Sequence, residues 1–146
     1  MPEIRGLGFQ TASTWAALLL GAAFLILGIG FAAAPQVGAW VFGIGAADGT
    51  ALAYVRALGF RDVALALYIF GLIAYGARRA LSIVLGASLV IPACDVALVL
   101  SVSGWSSVGQ VFVHLAGAAA LAVTSFWLSL EGRVRRAGTA DALRQG

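Results

Sequence analysis

The sequence contains no lysine, and all nine of its basic residues are arginine. Without a lysine amine, the protein cannot form a Schiff base with retinal or pyridoxal phosphate. A single cysteine, Cys94, excludes an intramolecular disulfide and a cysteine-based metal cluster. A single histidine, His114, supplies too few ligands for a zinc or haem site. We therefore expect neither a metal nor a cofactor.

Charged residues are also scarce, at 10% of the 146 residues, compared with about 25% in typical soluble proteins. Hydrophobic residues make up 62% of the chain, and its mean hydropathy is +1.00. This composition predicts a single-domain integral membrane protein surrounded by the lipid bilayer. The formal net charge is +3. The arginines lie at the ends of apolar runs, so we interpret them as topology signals and expect no nucleic-acid partner.

Four apolar runs predict an all-α fold, a four-transmembrane-helix bundle with antiparallel neighbours. Each run is close to the roughly 20 residues that span a bilayer. The predicted spans are residues 15–34, 58–77, 80–101 and 108–130. Residues 35–57 form a long outer segment, which is interfacial, re-entrant or a lid, and its part from Thr50 onward is compatible with a helix leading into the second span. Residues 1–14 form an exposed lead-in, and residues 131–146 a tail.

The arginines also predict the orientation of the bundle. Four spans place both termini and the turn at Arg78 and Arg79 on one side of the membrane. Two of the nine arginines, Arg56 and Arg61, fall on the other side, so seven fall on this one. The positive-inside rule then makes both termini cytoplasmic, in the inner or plasma membrane of the cell. The tryptophans agree, because two fall at each predicted interface: Trp15 and Trp127 inside, Trp40 and Trp105 outside.

Ionisable side chains interrupt three of the predicted spans, where a charge costs from a few to more than ten kcal/mol, depending on the estimate. Arg61 and Asp62 lie about one turn below the outer end of the second span, and Asp95 lies about six residues below the outer end of the third. His114 lies about six residues into the fourth span, at a similar depth. We therefore expect Asp95 to face the inside of the bundle, with His114 or Arg61 within reach.

Residues beside Asp95 add to this prediction. Pro92 lacks an amide donor and clashes with the Ser88 carbonyl, so the third span should bend close to Asp95. Cys94 is expected to be a small buried residue. Tyr68, near mid-membrane, needs a partner for its hydroxyl. The residues predicted to contact a ligand are Arg61, Tyr68, Ser88 and Trp105.

The pattern of Arg61-Asp62, Ile91-Pro92 followed by Asp95, and His114 followed by Gly117 resembles a family of small four-helix bacterial and fungal membrane proteins that carries a domain-of-unknown-function label. The resemblance covers roughly the second to the fourth span. It implies that the arginine–aspartate pair, the proline–aspartate segment and the histidine belong together. It implies no particular reaction.

Three functions are compatible with this cluster. In the first, an outer-leaflet pocket binds or acts on a lipophilic molecule, such as an isoprenoid or a lipid, and an acid among Asp62, Asp95 and His114 transfers a proton. Arg61 then holds an anionic headgroup or keeps one aspartate ionised. The second is a proton-coupled transporter or channel that works as a homo-oligomer. The third is a non-catalytic membrane subunit in which the cluster only joins helices.

Overall fold

The computed structural model describes the backbone of residues 11–45 and 48–145, and side chains up to residue 134. Within these residues the regular elements are helical, which confirms the all-α prediction. They are α1 (Ala12–Ala33), α2 (Pro35–Phe42), α3 (Gly49–Ala74), α4 (Arg78–Ala87), α5 (Val90–Ser103), a 3₁₀ turn (Gly104–Ser107) and α6 (Val108–Gln145). The first ten residues of the predicted lead-in and the side chains of Arg135, Arg136 and Arg144 lie outside the described part of the chain.

Local sequence signals explain where most of these helices begin and end. Pro35 starts α2, where its missing amide is not needed, and Gly43 ends it in the left-handed conformation at a φ of 96°. Asp48 caps α3 by accepting a hydrogen bond from the Ala51 amide at 2.8 Å. Gly104, with a φ of 58°, ends α5. The predicted outer segment is therefore largely helical, and α3 begins well before residue 58.

A break at Ser88 and Leu89 divides the predicted third span into α4 and α5. Pro92 lies in the first turn of α5, so the amide that it lacks would have had no helical partner there. The Ser88 carbonyl accepts a hydrogen bond from the Ile91 amide at 3.0 Å instead. The interruption beside Asp95 that the proline predicted is therefore present, and it separates two helices.

Three helical stretches are long and apolar enough to cross a membrane: Ala12–Ala33, Gly49–Ala74 and Arg78–Val134. The third stretch has 57 residues, which would measure about 85 Å as one straight helix at 1.5 Å per residue. It is instead interrupted at Ser88 and folds back at Gly104, because both α4 and α5 pack against α6. The composition and these stretches together make this a membrane protein.

The apolar core has two parts. One contains Ile69 of α3, Leu81 and Leu85 of α4 and Leu121 of α6. The other is formed around α2 and the adjoining helices, with Phe31, Ala39, Phe42, Val55, Val99 and Val111. The most extensive helix contact is between α1 and α3. There Gly28 and Gly59 face each other so closely that a Cβ atom on either would lie 2.6 Å from the carbonyl oxygen of the other.

A second polar cluster ties the start of α1 to α4 and α6. Arg78 forms an ion pair with Glu131 and also donates to the Ser13 hydroxyl at 3.2 Å and the Thr11 hydroxyl at 3.1 Å. Ser13 in turn donates to Glu131 at 2.7 Å. Ser13 and Thr14 are fully buried, so the prediction that the lead-in is exposed up to Thr14 is wrong at these two residues. Both belong to α1, whose first turn packs inside this cluster.

Candidate functional site

The ionisable residues predicted to converge do lie together in the structure. Arg61 bridges two carboxylates: its Nε donates to Oδ1 of Asp62 at 3.1 Å, and its Nη1 donates to Oδ1 of Asp95 at 3.5 Å. His114 Nδ1 lies 3.8 Å from Oδ2 of Asp95. Asp62 and Asp95 are 5% and 8% exposed. The prediction that Asp95 faces inward, within reach of Arg61 and His114, is confirmed.

The other nitrogen of His114 has a backbone partner in α2. Its Nε2 lies 3.0 Å from the carbonyl oxygen of Phe42 in α2. A carbonyl oxygen can only accept a hydrogen bond, so Nε2 must carry a hydrogen. Nδ1 is therefore the nitrogen that faces Asp95. The 3.8 Å between Nδ1 and Oδ2 of Asp95 exceeds a hydrogen-bond distance, so the two atoms are not directly hydrogen-bonded.

These four side chains line one part of an otherwise apolar cavity of about 100 Å³. Its other walls come from α1, α2, α3, α5 and α6. They include Phe24, Leu27, Phe31, Val41, Phe42, Leu65, Ile91, Pro92, Val113, Gly117 and Leu121. Because residues from both parts of the core contribute, the cavity lies between them. Leu27 of α1 and Val113 of α6 line the cavity and are also exposed on the outer surface of the bundle.

Three residues predicted to contact a ligand are not brought to the cavity. Tyr68 is 61% exposed on the outer surface of α3, and Trp105 is 78% exposed in the 3₁₀ turn. Ser88 is buried, but its hydroxyl donates to the Val84 carbonyl at 2.8 Å, one turn back. Cys94 is exposed, so the prediction that it is buried is wrong. Its neighbour Asp95 occupies the inward face of α5, and consecutive helical residues point about 100° apart.

The contribution of α2 was missed in the sequence, where its residues read only as a glycine-rich outer segment. The carbonyls at the end of this helix have side-chain partners from the last residue of α5 and from the start of α6. Ser103 donates to the Gly43 carbonyl at 2.9 Å, and Gln110 contacts the Trp40 carbonyl at 3.5 Å. Together with His114 on Phe42, these contacts fix α2 against the cavity. Pro35 and Gly43, at the two ends of the helix, were the available signals.

A family model described as a domain of unknown function, DUF4267, matches residues 21–128. The chain belongs to the DUF4267 family. Membership of a family with such a label, as the sequence resemblance implied, is confirmed. The match contains every residue that lines the cavity, whereas Thr11, Ser13 and Glu131 of the second polar cluster lie outside it. No curated protein and no solved structure matches the chain.

The ionisable groups of the cavity are one positive charge short of neutrality when no proton is bound. The Arg61 guanidinium is always positive, and it faces two carboxylates, so the cluster carries one excess negative charge when both are ionised and His114 is neutral. A net charge in apolar surroundings is unfavourable. One bound proton, on His114 or on either aspartate, makes the DUF4267 site neutral.

Proposed function

We propose that the protein binds a lipophilic molecule in this cavity and exchanges a proton with its polar end. One observation carries the proposal: buried aspartates, a histidine and an arginine together form one wall of a cavity whose remaining walls are apolar and aromatic. Typical ligand sites have this composition, with a few convergent polar groups on an apolar lining. Asp95 and His114 are the proposed proton-exchanging groups, Asp62 is a third acid at the same site, and Arg61 holds the carboxylates in place.

The size of the cavity limits what enters it. Ligand pockets commonly measure about 300–1,000 Å³, and an apolar cavity of about 150 Å³ accommodates benzene. The cavity of about 100 Å³ accordingly fits only the polar end of a ligand. The exposed positions of Leu27 and Val113 support an opening between α1 and α6, through which the rest of an isoprenoid- or lipid-like molecule remains in hydrocarbon.

The proposed arrangement in the membrane has four crossings, formed by α1, α3, α4 with α5, and α6. It is supported by the contacts at the two ends of the bundle. Thr11, Arg78 and Glu131 meet at one end, and Gly43 and Ser103 meet at the other. These contacts fit antiparallel neighbours. The positive-inside rule assigns the Arg78 end to the cytoplasm and the cavity to the outer half of the bilayer.

The test compares the lipophilic molecules that copurify with the wild-type protein and with Asp95→Asn, identified by mass spectrometry. Asn keeps the shape of the side chain but removes its charge and its acidity, so we expect at least one compound to be lost. Cys94→Ser, which changes the exposed neighbour on the same helix, should retain it. Gel-filtration elution and thermal unfolding in detergent establish that both variants are folded.

The same ionic contacts also join α3, α5 and α6, which favours a purely structural role as the second candidate. The double variant Asp95→Asn with His114→Gln separates the two. A structural cluster tolerates this charge-free replacement, with unchanged cellular lipids and unchanged copurifying molecules. Under the proposed function, the folded double variant loses both the bound compound and any lipid product that depends on the wild-type protein.

A further inference from the structure

The charge of the cluster restricts the kind of polar end that the cavity can accept. An anionic headgroup would need Arg61, yet the guanidinium already contacts Asp62 and Asp95 at 3.1 and 3.5 Å. The same headgroup would then lie beside two buried carboxylates. Like charges placed together in an interface cost several kcal/mol. The cavity is therefore poorly suited to an anionic ligand.

A cationic polar end, by contrast, is attracted by the groups that line the cavity. The cluster lacks one positive charge when no proton is bound, and an ammonium group supplies that charge and donates hydrogen bonds to carboxylate oxygens. Phe24, Phe31 and Phe42 line the same cavity, and the faces of aromatic rings attract cations. The charged groups that face the site are Arg61 and Asp62 from α3, Asp95 from α5 and His114 from α6. The lining that α1 and α2 contribute is apolar.

We propose that the cavity binds the ammonium end of a lipophilic amine in place of the proton. This rests on the proposed function and specifies its ligand class. An unbranched alkyl chain matches the narrow site, because its end is small and the chain can pass between Leu27 and Val113 into hydrocarbon. On binding, the neutral amine accepts the proton that the cluster holds and becomes an ammonium ion. Because the amine in water at pH 7 is itself an alkylammonium ion and first loses a proton, one proton is released to water for each site filled. The bound state is then as neutral as the protonated empty state.

The experiment uses the full-length protein in a neutral detergent and three probes with the same chain: octylamine, octanoate and octanol. At pH 7 the amine is a cation, since a primary alkyl amine resembles the lysine side chain, and octanoate is an anion. Calorimetry in two buffers of different ionisation enthalpy reports affinity and the number of protons released. We expect octylamine to bind at least about tenfold more tightly than the other two and to release about one proton per site.

Variants make the sign of the charge testable. Asp95→Asn removes the excess negative charge, so the affinity for octylamine should fall about tenfold or more and proton release should disappear. Arg61→Gln would abolish binding of any anion that depends on the guanidinium. Arg56→Gln is the matched control, because Arg56 is exposed on the same helix and outside the cavity. It should behave as wild type.

Each other outcome has a distinct meaning. Tightest binding of octanoate, lost in Arg61→Gln, would overturn the amine assignment and leave the lipophilic site standing. Equal binding of octanol and octylamine without proton release would also overturn the amine assignment and leave the lipophilic site standing. Octylamine binding that is equal in wild type and folded Asp95→Asn shows partitioning into the micelle and overturns the assignment. Absence of binding for all three probes to the folded wild-type protein contradicts both the assignment and the proposed function.

Discussion

At the residue scale, Arg61 is the side chain on which the site depends. Its planar guanidinium presents several donors in fixed directions, so one side chain can contact two carboxylates at once. Asp62 is its neighbour in sequence, and Asp95 lies on another helix. Each aspartate is more than nine-tenths buried, so solvent water cannot replace the Arg61 guanidinium as the partner of either carboxylate. Arg61 itself is one-third exposed and also lines a wider apolar groove between α2 and α3.

Removing the charge of Arg61 should therefore destabilise the protein, and removing an aspartate as well should restore part of the loss. We expect Arg61→Gln to lower the free energy of unfolding by about 1–3 kcal/mol, less than for a fully buried pair because the arginine is partly exposed. Adding Asp95→Asn leaves one carboxylate instead of two, so the double variant should be more stable than Arg61→Gln alone.

Thermal unfolding of the purified proteins in one detergent measures this cycle. Arg56→Gln, at an exposed position of the same helix, should unfold as wild type does. If Arg61→Gln unfolds at the wild-type temperature, the carboxylates are already neutral in the folded protein. The excess negative charge assigned to the cluster of Arg61, Asp62 and Asp95 is then incorrect.

At the scale of the helices, the packing of α1 on α3 determines where Asp62 lies. Without a hydrophobic driving force between helices in lipid, close backbone approach supplies much of the packing energy. Gly28 and Gly59 permit that approach, because each has the other's backbone where its side chain would be. Asp62 follows Gly59 by three residues, so a shift at this contact would move the carboxylate relative to the cavity.

Substitution of these two glycines should be costly, whereas Gly30 and Gly71 of the same helices should tolerate it. Gly28→Ala or Gly59→Ala places a methyl group 2.6 Å from a carbonyl oxygen. We expect each to destabilise by about 1–3 kcal/mol, the usual cost of overpacking. Gly30→Ala and Gly71→Ala are the matched controls, because a Cβ at either has nothing within 4 Å. Their unfolding temperatures should equal or slightly exceed that of wild type.

The same thermal unfolding assay checks both pairs. If Gly28→Ala and Gly59→Ala behave like their controls, α1 and α3 are not held at the close separation described above.

At the scale of the whole molecule, polar contacts hold the bundle at two levels. Arg78, Glu131 and Ser13 join α1, α4 and α6 at one end, and the ionic cluster of the cavity joins α3, α5 and α6 nearer the other. Between them the packing is largely apolar, apart from the hydrogen bonds that join Ser82 of α4 to Ser125 of α6. The ionic cluster at the cavity fits the proposed binding site in the outer leaflet, whereas the charges of Arg78 and Glu131 pair with each other.

The proposed orientation predicts which end of the bundle is reached from outside the cell. In a Cys94→Ser background, which removes the one native thiol, Ser106→Cys should react with a membrane-impermeant maleimide added to intact cells. Arg79→Cys should react only after the cells are made permeable. Both residues are exposed, so burial does not limit either reaction. The reverse pattern would put the cavity in the cytoplasmic half of the membrane, and equal labelling from one side would contradict four crossings.

Much of the fold follows from composition and local signals. Long apolar runs make helices because every backbone group must find a partner inside the segment when no water is present. Pro35, Gly43 and Gly104 mark helix ends through their own backbone preferences. The depth of Asp95 and His114 within their runs was also sufficient to predict that they meet, because helices of similar length cross a membrane side by side.

Composition and the apolar runs therefore establish the class of the protein, its long apolar helical stretches and the positions of the ionisable residues along them. The partners of these ionisable residues follow from the packing, because they depend on how each helix is rotated and on contacts between distant segments. Rotation of α3 and α5 turned Tyr68 and Cys94 outward and Asp62 and Asp95 inward. The fold of α2 against α6 brought the Phe42 carbonyl to His114, which leaves Nδ1 as the nitrogen that faces Asp95.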